Sequence, residues 1–504
     1  MECGVSGQPV RQVVVAGHGM AAARFAAELT ARRRDIAVHV LGDEPRGGYN
    51  RVLLTTLLAG ACGTGDLFLD DPRALAGRGI TVSDGTTVTG IDRRRQEAVC
   101  ADGSRLGYDR LVLATGSVPV VPAIDGLRCD AGRLLPGCHT LRTLADCEAL
   151  TAQARHARRV VVAGGGVLGL EAACALAGLG IDVQVVHRGP ALMEAQLDHD
   201  AAAVLRRTLT GLGIGCHLGA APLAVTGDDR ISGLILNDGR RLDCDLLVLA
   251  CGTMPDTALA AAAGLATGRG VLVDDAMRSV SDPHILAIGD CAQHRGRVYG
   301  IAAPALRQAA VAAATVAEGA APPLTYAGSP VVTRLKARGV ELASMGEVAP
   351  EPHDGGDHEV VKLIDPVRGV YLKLVVTNGR LAGAVTLGDP DAVAAATVAF
   401  DQQSILPPDR LRLLLGAGPG SGAPEELPDG ARVCHCNAVT AGEIRSCVAR
   451  GNQTVAAVAR ETLATTGCGT CRPAVIALLA AGTAAAATSA EPALAGAAFA
   501  LETP

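Results

Sequence analysis

The chain has 504 residues, 49% of them hydrophobic, and a formal net charge of −6 at pH 7. This length predicts roughly three or four domains, and the mild acidity argues against a nucleic-acid-binding protein, which would normally carry a basic patch or tail. The N-terminal apolar run is too short for a signal peptide or a membrane span. We therefore expect a cytoplasmic protein that binds neither nucleic acid nor membrane. In that reducing compartment clustered cysteines more often bind metal than form disulfides.

A glycine-rich turn between an apolar strand and an alanine-rich helix lies near the N-terminus, in VVVAGHGMAAARFAAEL. Gly17 permits a tight turn, Gly19 lets the backbone approach a pyrophosphate, and Ala22 allows the helix to pack closely on the strand. About twenty residues on, a second strand, IAVHVLG, ends in Asp43 and Glu44, where an acid meets the ribose hydroxyls of an adenine dinucleotide. The pattern predicts a dinucleotide site. The alternative is a tight turn that binds no ligand.

A second fingerprint follows the strand Arg159–Ala163. Its three small-residue positions are held by Gly164, Gly166 and Gly169. The next strand ends in His187 and Arg188 instead of an acid. An acid there favours NAD and a cation can accept the 2′-phosphate of NADP, so Arg188 favours NADPH, although a histidine at this position is compatible with either nucleotide.

Three further strand-and-glycine segments complete a recognisable order: YDRLVLATGSVPVVP, CDLLVLACGTMPDT and SDPHILAIGDCAQ. Alone, each is compatible with an ordinary strand and turn. Together with the two fingerprints they resemble the two-dinucleotide-binding-domain flavoproteins of the pyridine-nucleotide-disulfide reductase superfamily, from about Val10 to Ala320. The resemblance implies FAD in the first site and a nicotinamide in the second.

The cysteine pattern and the segments near the flavin motifs indicate which branch of that superfamily the chain resembles. No CxxxxC or CxxC pair occurs in the first 430 residues, so reduction of a substrate disulfide is not expected. Oxygenase-coupled ferredoxin reductases carry R-P-P-L-S-K; here YNRVLLTTLLAG matches at Arg51 but has Thr56 at the lysine position. This segment, ALMEAQLDHDAAAVL and RVYGIAAPALRQAA are more similar to the flavin module of NAD(P)H nitrite reductase large subunits. A third domain, of alternating strands with an Asn378-Gly379 hairpin signal, resembles the same family.

Four closely spaced cysteines follow the segment Gly416–Gly430, which is rich in glycine, proline and acidic residues and which we expect to be a flexible linker. They form a CxC pair and a CxxC pair, namely Cys434, Cys436, Cys468 and Cys471. From spacing alone, Zn²⁺ and a [2Fe–2S] cluster are equally compatible, since both accept four thiolates. The pattern resembles bacterioferritin-associated-ferredoxin-like [2Fe–2S] modules, and a flavoprotein in the same chain favours iron–sulfur. A zinc-stabilised interaction module is the alternative.

Between the pairs, Thr440 and Glu443 form a capping box that predicts a helix. We expect His435 to face solvent and Cys447 to pack inside, since four cysteines already complete the site. The alanine-rich tail is expected to be a frayed helix or disordered.

The fold class expected is α/β: two nested Rossmann-like domains, a small α+β domain and a small helical Cys₄ [2Fe–2S] domain. The expected boundaries are 1–125 with 255–325 for FAD, 126–254 for NAD(P)H, 326–415 for the α+β domain, 416–430 for the linker, 431–482 for the cluster domain and 483–504 for a disordered tail.

The resemblance also implies residue roles. FAD would be held by Gly17, Gly19, Ala22, Asp43, Glu44, Arg51, Thr115, Gly116 and Asp290. The pyridine nucleotide would be held by Gly164, Gly166, Gly169 and Arg188. Glu171 matches a family glutamate near the nicotinamide–flavin contact; the alternative is an acid that stabilises the first helical turn through the macrodipole.

A flavin accepts an electron pair from a nicotinamide and releases electrons singly. The resemblance therefore implies a path from NAD(P)H to FAD, to the [2Fe–2S] cluster and then to a partner protein. No sirohaem-type cysteine motif follows, so the terminal reduction is expected on that partner. The architecture is most similar to the electron-transfer subunits of bacterial assimilatory nitrate reductases, which implies a molybdopterin nitrate reductase as partner. A separate sirohaem nitrite reductase or an oxygenase ferredoxin are alternatives.

Overall fold

Short valine-rich runs form the central strands of this protein, and alanine-rich segments form the helices that cover them. The computed structural model describes residues 10–69, 72–130, 132–319, 324–410, 427–434, 437, 439–466 and 471–488. The chain divides into two compact units, Met1–Ser421 and Gly422–Pro504. No helix among these described ranges is long and apolar enough to cross a membrane.

The first domain is built on an eight-stranded sheet with the order β21-β18-β19-β20-β7-β1-β2-β3. Its strands are β1 (Gln12–Ala16), β2 (Ala37–Gly42), β3 (Ile80–Asp84), β7 (Arg110–Leu113), β18 (Val271–Val273), β19 (Arg278–Ser279), β20 (Asp282–Ala287) and β21 (Ala292–His294). Strand β1 pairs in parallel with β2 on one side and β7 on the other. The loop after β1 therefore lies at a topological switch point, where ligands of open α/β sheets bind.

Helices α1 (Met20–Arg32) and α8 (Ala302–Glu318) pack together on this sheet. Shorter elements complete the domain: α2 (Leu54–Leu58), α3 (Pro72–Ala76) and an antiparallel sheet of β4 (Val88–Asp92), β5 (Glu97–Cys100) and β6 (Arg105–Gly107).

The second domain repeats the arrangement with a five-stranded parallel sheet of order β12-β11-β10-β16-β9. Its strands are β9 (Cys138–Thr140), β10 (Arg159–Ala163), β11 (Asp182–His187), β12 (Ile214–Leu218) and β16 (Leu246–Leu249). Its helices are α4 (Leu144–Ala154), α5 (Val167–Ala177) and α6 (His199–Gly211). Strands β13 (Pro222–Thr226), β14 (Gly233–Leu236) and β15 (Arg241–Asp243) form a small antiparallel sheet.

The two domains are joined by crossing strands. Strands β8 (Ser117–Pro119) and β17 (Thr253–Pro255) pair in antiparallel fashion as the chain leaves and re-enters the first domain, and α7 (Ala258–Ala262) follows. The second fingerprint is thus inserted between two halves of the first domain, as the nested pattern predicts.

The third domain is an antiparallel sheet of order β22-β23-β26-β25-β24 covered by α9 (Pro390–Gln402). Its strands are β22 (Val332–Ala337), β23 (Val340–Gly346), β24 (His358–Asp365), β25 (Val370–Thr377) and β26 (Arg380–Leu387). Asn378 and Gly379 connect β25 to β26 with φ angles of 51° and 72°, the positive values that a type I′ hairpin turn requires. The predicted hairpin is confirmed.

A buried ion-pair network attaches this sheet to the start of α6. The ammonium group of Lys373 is fully buried and donates to Asp198 Oδ2 at 3.0 Å, Glu351 Oε1 at 3.0 Å and the Val348 carbonyl oxygen at 2.7 Å. Asp198 caps α6 and also accepts the hydroxyl of Tyr371. Burial alone would raise the pKa of Asp198, but the Tyr371 hydroxyl and the Lys373 ammonium hold it below its usual value.

The C-terminal unit contains β27 (Arg432–Cys434), β28 (Val439–Thr440) and three helices: α10 (Ala441–Ala449), α11 (Val455–Thr462) and α12 (Arg472–Thr488). The Thr440–Glu443 capping box is present. Helix α12 continues to Thr488, six residues into the predicted tail, through a run of alanine, the residue with the highest helix propensity, and a frayed helix is one of the two expectations for this segment. Residues 489–504 and most of the predicted linker lie outside the described ranges.

Candidate cofactor and electron-transfer sites

The first glycine loop connects β1 to α1. Gly17 has φ +107°, and a Cβ on it would lie 2.7 Å from the Ala114 carbonyl carbon, so only glycine fits. Gly19 caps α1, and a Cβ there meets no atom within 4 Å, while Ala22 is fully buried against the sheet. The helix start is therefore open on the side where its free backbone N–H groups can bind a diphosphate. The chain fits a dinucleotide at this loop.

The two acids after β2 have different surroundings. Asp43 is exposed directly after the strand, in the position expected to meet the adenosine ribose. Glu44 accepts the hydroxyl of Tyr49 at 2.7 Å and is ion-paired with Arg51. Burial, followed by the hydrogen bond to Glu44, raises the pKa of Tyr49 and keeps that hydroxyl protonated as a donor. Glu44 thus orients Arg51, and Asp43 is the better candidate for the ribose.

Asp290 lies in a short 3₁₀ turn, Gly289–Cys291, after β20. Its Oδ2 accepts the Arg142 guanidinium at 3.0 Å and the Ser117 hydroxyl at 2.9 Å. The carbonyl oxygen of Arg142 also accepts Arg51 Nη1 at 3.2 Å, so both predicted flavin-site residues meet at Arg142. Nearby, the hydroxyl of Thr115 donates to the Asp256 carbonyl oxygen at 2.7 Å.

Sequence reasoning missed Arg142 and Ser117. Arg142 is the second residue after β9, at the same edge of the parallel sheet as the second glycine loop. The rule that ligands of open α/β sheets bind outside the carboxyl ends of the strands could have identified it. Ser117 directly follows Gly116 in the predicted segment.

The second glycine loop has the geometry of the first. Gly164 has φ +130°, and a Cβ on it would lie 2.7 Å from the Ala250 carbonyl carbon. Gly166 caps α5, and a Cβ there meets no atom within 4 Å. Gly169 packs on the Gly164 carbonyl group, which keeps the helix close to the strand. The chain fits a second dinucleotide here, and Arg188 lies exposed at the nearby end of β11.

Glu171 lies inside α5 and is 93% buried, being only 7% exposed. Its Oε2 accepts the hydroxyl of Thr55, a buried residue of α2 in the first domain, at 2.8 Å. A solvent-exposed acid that only stabilises a helix end would not have this environment. Glu171 thus lies where the two dinucleotide-binding domains meet, and Thr55 is its partner one residue before the predicted lysine position.

Two of the four clustered cysteines lie within the described residues. Cys434 ends β27 and Cys471 precedes α12, and both are buried, at 2% and 6% exposure. The backbone N–H of Thr465 donates to Cys471 Sγ at 3.2 Å, as outer-shell donors do to cluster-bound sulfur. Asn437 donates to the Leu463 carbonyl oxygen at 2.6 Å and joins the segment after the first pair to the loop before the second.

Three residues of this region lie outside the described ranges: His435, Cys436 and Cys468. Cys447 is fully buried on α10, in agreement with the packing role expected of it. Burial and the neighbouring carboxylate of Glu461 raise the pKa of its thiol, which disfavours a metal-binding thiolate.

Residues 11–315 match the family model for pyridine nucleotide-disulphide oxidoreductases, and that match spans more than half of the 504 residues. The chain belongs to the pyridine nucleotide-disulphide oxidoreductase family. Further along the chain, residues 331–403 match the rubredoxin NAD⁺ reductase C-terminal domain, and residues 432–481 match the BFD-like [2Fe-2S] binding domain. These matches confirm the predicted fold class, the cofactors FAD and NAD(P)H, and the preference for [2Fe–2S] over zinc.

Several relatives of this oxidoreductase have names from nitrate and nitrite assimilation. The chain is 33% identical over 479 residues to the assimilatory nitrate reductase electron transfer subunit of Bacillus subtilis, covering 93% of this chain and 59% of the relative. It is 37% identical over 469 residues to the nitrite reductase [NAD(P)H] large subunit of Klebsiella oxytoca, covering 91% and 48%. The chain therefore spans about half the length of these relatives.

Solved structures agree with the family. A ferredoxin reductase of Rhodopseudomonas palustris superposes with a TM-score of 0.70 at 27% identity, over 79% of this chain and 96% of that one. The putidaredoxin reductase–putidaredoxin complex superposes with a TM-score of 0.71 at 25% identity, over 81% and 99%. These structures support the first three domains, which end before the cysteine pairs.

Proposed function

We propose that this oxidoreductase oxidises NAD(P)H at a bound FAD and delivers electrons through its [2Fe–2S] module to a separate redox partner, a molybdopterin nitrate reductase. The observation that carries the proposal is the presence, in one chain, of two open glycine loops at helix N-termini and of buried cysteines from both the CxC and CxxC pairs. When bound, FAD supplies the exchange between a two-electron nicotinamide and a one-electron cluster.

The residues of this chain would bind the two cofactors and orient them. Asp43 would bind the FAD ribose, and Arg142 would hold Asp290 and Arg51 in place beside the flavin. Glu171, buried against Thr55, would shape the surface where the nicotinamide meets the flavin. Hydride transfer between cofactors requires positioning but no acid or base, so no residue is assigned to proton transfer.

The roles of the cysteines can be tested with a matched pair of variants. Cys471→Ser removes a buried thiol of the CxxC pair, whereas Cys447→Ser removes an equally buried thiol of α10. We expect Cys471→Ser to lose cluster absorbance and electron delivery to an external acceptor while NAD(P)H still bleaches the flavin. Cys447→Ser should keep both. Electron delivery at the wild-type rate by Cys471→Ser would exclude the cluster as the exit.

The partner is inferred from relatives and needs its own experiment. The purified chain, NAD(P)H and a molybdopterin nitrate reductase should together oxidise NAD(P)H in a nitrate-dependent manner. A relative from Castellaniella defragrans, 30% identical and 96% covered by the match, is named a probable ferredoxin reductase, which favours a ferredoxin as the second candidate acceptor. Faster electron transfer to such a ferredoxin than to nitrate reductase would identify this second function.

A further inference from the structure

The end of β11 carries a histidine where NAD-binding domains usually carry an acid. The backbone N–H of Gly165, inside the glycine loop, donates to His187 Nδ1 at 3.2 Å. A nitrogen that accepts a hydrogen bond carries no proton, so the proton of the neutral ring is on Nε2. That atom lies 3.0 Å from Glu194 Oε1, which is therefore its acceptor.

The carboxylate of Glu194 is positioned by the backbone that follows β11 as well as by the imidazole ring of His187. A Cβ on Gly189, the second residue after β11, would overlap the carboxylate of Glu194, so this carboxylate lies directly on the backbone there. Its side chain remains 45% exposed. An exposed anion thus lies beside the position, about twenty residues after the glycine loop, where the adenosine ribose is bound.

The cation at this strand end is less constrained than the anion. Arg188 is exposed, and within the ranges that the structure describes no residue accepts a hydrogen bond from it. A carboxylate held in place accepts the 2′-hydroxyl of NADH well and repels the 2′-phosphate of NADPH, whereas an exposed arginine must lose side-chain freedom to bind that phosphate.

We propose that Glu194, oriented by His187 and lying on Gly189, replaces the missing acid of the second dinucleotide site and selects NADH over NADPH. This inference rests on the proposed function, because it names the nucleotide that the reductase oxidises. It opposes the preference for NADPH predicted from Arg188 alone. Glu194 is a specificity-determining residue and His187 its positioning residue.

The test compares binding of 5′-AMP and 2′,5′-ADP, which differ only in the 2′-phosphate, to the FAD-loaded full chain by isothermal titration calorimetry. We expect wild type to bind 5′-AMP at least about tenfold more tightly than 2′,5′-ADP, and Glu194→Gln to reduce that ratio roughly tenfold by removing the charge but not the shape. Asp243→Asn is the matched control, since it removes an exposed carboxylate at the opposite edge of the same domain and should leave the ratio unchanged.

The role of His187 predicts a graded result. His187→Ala should lower the ratio by freeing the Glu194 side chain, and His187→Gln, whose amide can still donate to the carboxylate, should restore part of it. Unchanged FAD content and thermal midpoint show that a variant is folded.

Tighter binding of 2′,5′-ADP by wild type, or an unchanged ratio in Glu194→Gln, would overturn the inference. Either outcome is separable from failure of the proposed function, in which neither NADH nor NADPH would reduce the flavin of the wild-type chain.

Discussion

Gly166→Ala tests the second nucleotide site without disturbing the fold. Gly166 caps α5 with φ −86° and ψ −178°, which any residue can adopt, and its added Cβ meets no atom within 4 Å. The free energy of unfolding should therefore change by less than about 1 kcal/mol. The same methyl group projects at the helix N-terminus, where a pyrophosphate must approach the backbone N–H groups.

The expected loss of affinity follows from those hydrogen bonds. A methyl group that displaces the phosphate weakens at least one charge-assisted hydrogen bond, which contributes about 1.5–3 kcal/mol. The Kd for NAD⁺ should rise roughly tenfold to hundredfold, since each 1.4 kcal/mol is about a factor of ten. The FAD content should not change.

Titration calorimetry with NAD⁺ and a thermal melt measure both quantities on one sample. Gly19→Ala is the matched variant in the first loop and should reverse the pattern, retaining NAD⁺ affinity and losing FAD on dialysis. Gly164→Ala is the contrasting case, because its Cβ would overlap the Ala250 carbonyl group and should lower both stability and binding. Wild-type NAD⁺ affinity in a folded Gly166→Ala protein would refute the assignment of this loop.

Three further predictions concern residues that act through their neighbours. Lys373→Met removes the fully buried ammonium from Asp198 and Glu351 and leaves them only the more exposed Lys362. Urea unfolding should therefore show a loss of about 3 kcal/mol for Lys373→Met and less than half as much for Lys362→Met, and equal losses would contradict this expectation. The pKa of Asp198 is lower in the fold than in the unfolded chain, so its contribution to stability is fully present above the unfolded pKa and is lost as pH falls through the folded pKa. The stabilities of Asp198→Asn and wild type should therefore begin to converge below about pH 4 and meet only below the lowered pKa. Arg142→Met should reduce FAD retention on dialysis more than Ser117→Ala does, because it removes the guanidinium that donates to Asp290 and to both the hydroxyl and the carbonyl oxygen of Ser117.

The two glycine loops and the nested order of domains could be predicted from the sequence because they depend on residues close together along the chain. A strand, a small-residue turn and a helix are adjacent, and their function uses backbone geometry that glycine alone permits. The Thr440–Glu443 capping box and the Asn378-Gly379 turn are local in the same sense. Each of these patterns could be predicted because the residues that form the structure are neighbours in the sequence.

The rest depends on contacts between segments that are far apart in sequence. Asp43 and Glu44 are indistinguishable in the sequence as a pair of adjacent acids, and only the contacts of Tyr49 and Arg51 with Glu44 give them different surroundings. Glu171 has the same pattern as an ordinary helix-start acid until Thr55, from another domain, is seen to donate to it.

Glycines outside the fingerprint positions are one feature of the sequence that indicates such contacts. Gly47 is in no motif, yet a Cβ on it would overlap the ring of His18, which is hydrogen-bonded to Asp84 at 2.7 Å. Gly189 likewise leaves room for the carboxylate of Glu194. In each dinucleotide-binding domain a histidine–carboxylate pair therefore lies beside the glycine loop, and a glycine after the second strand makes space for it. A glycine that lies outside the fingerprint but shortly after such a strand indicates that a side chain from another segment covers the backbone at that point. At Gly189 this side chain is Glu194, which we propose as the missing acid of the second site.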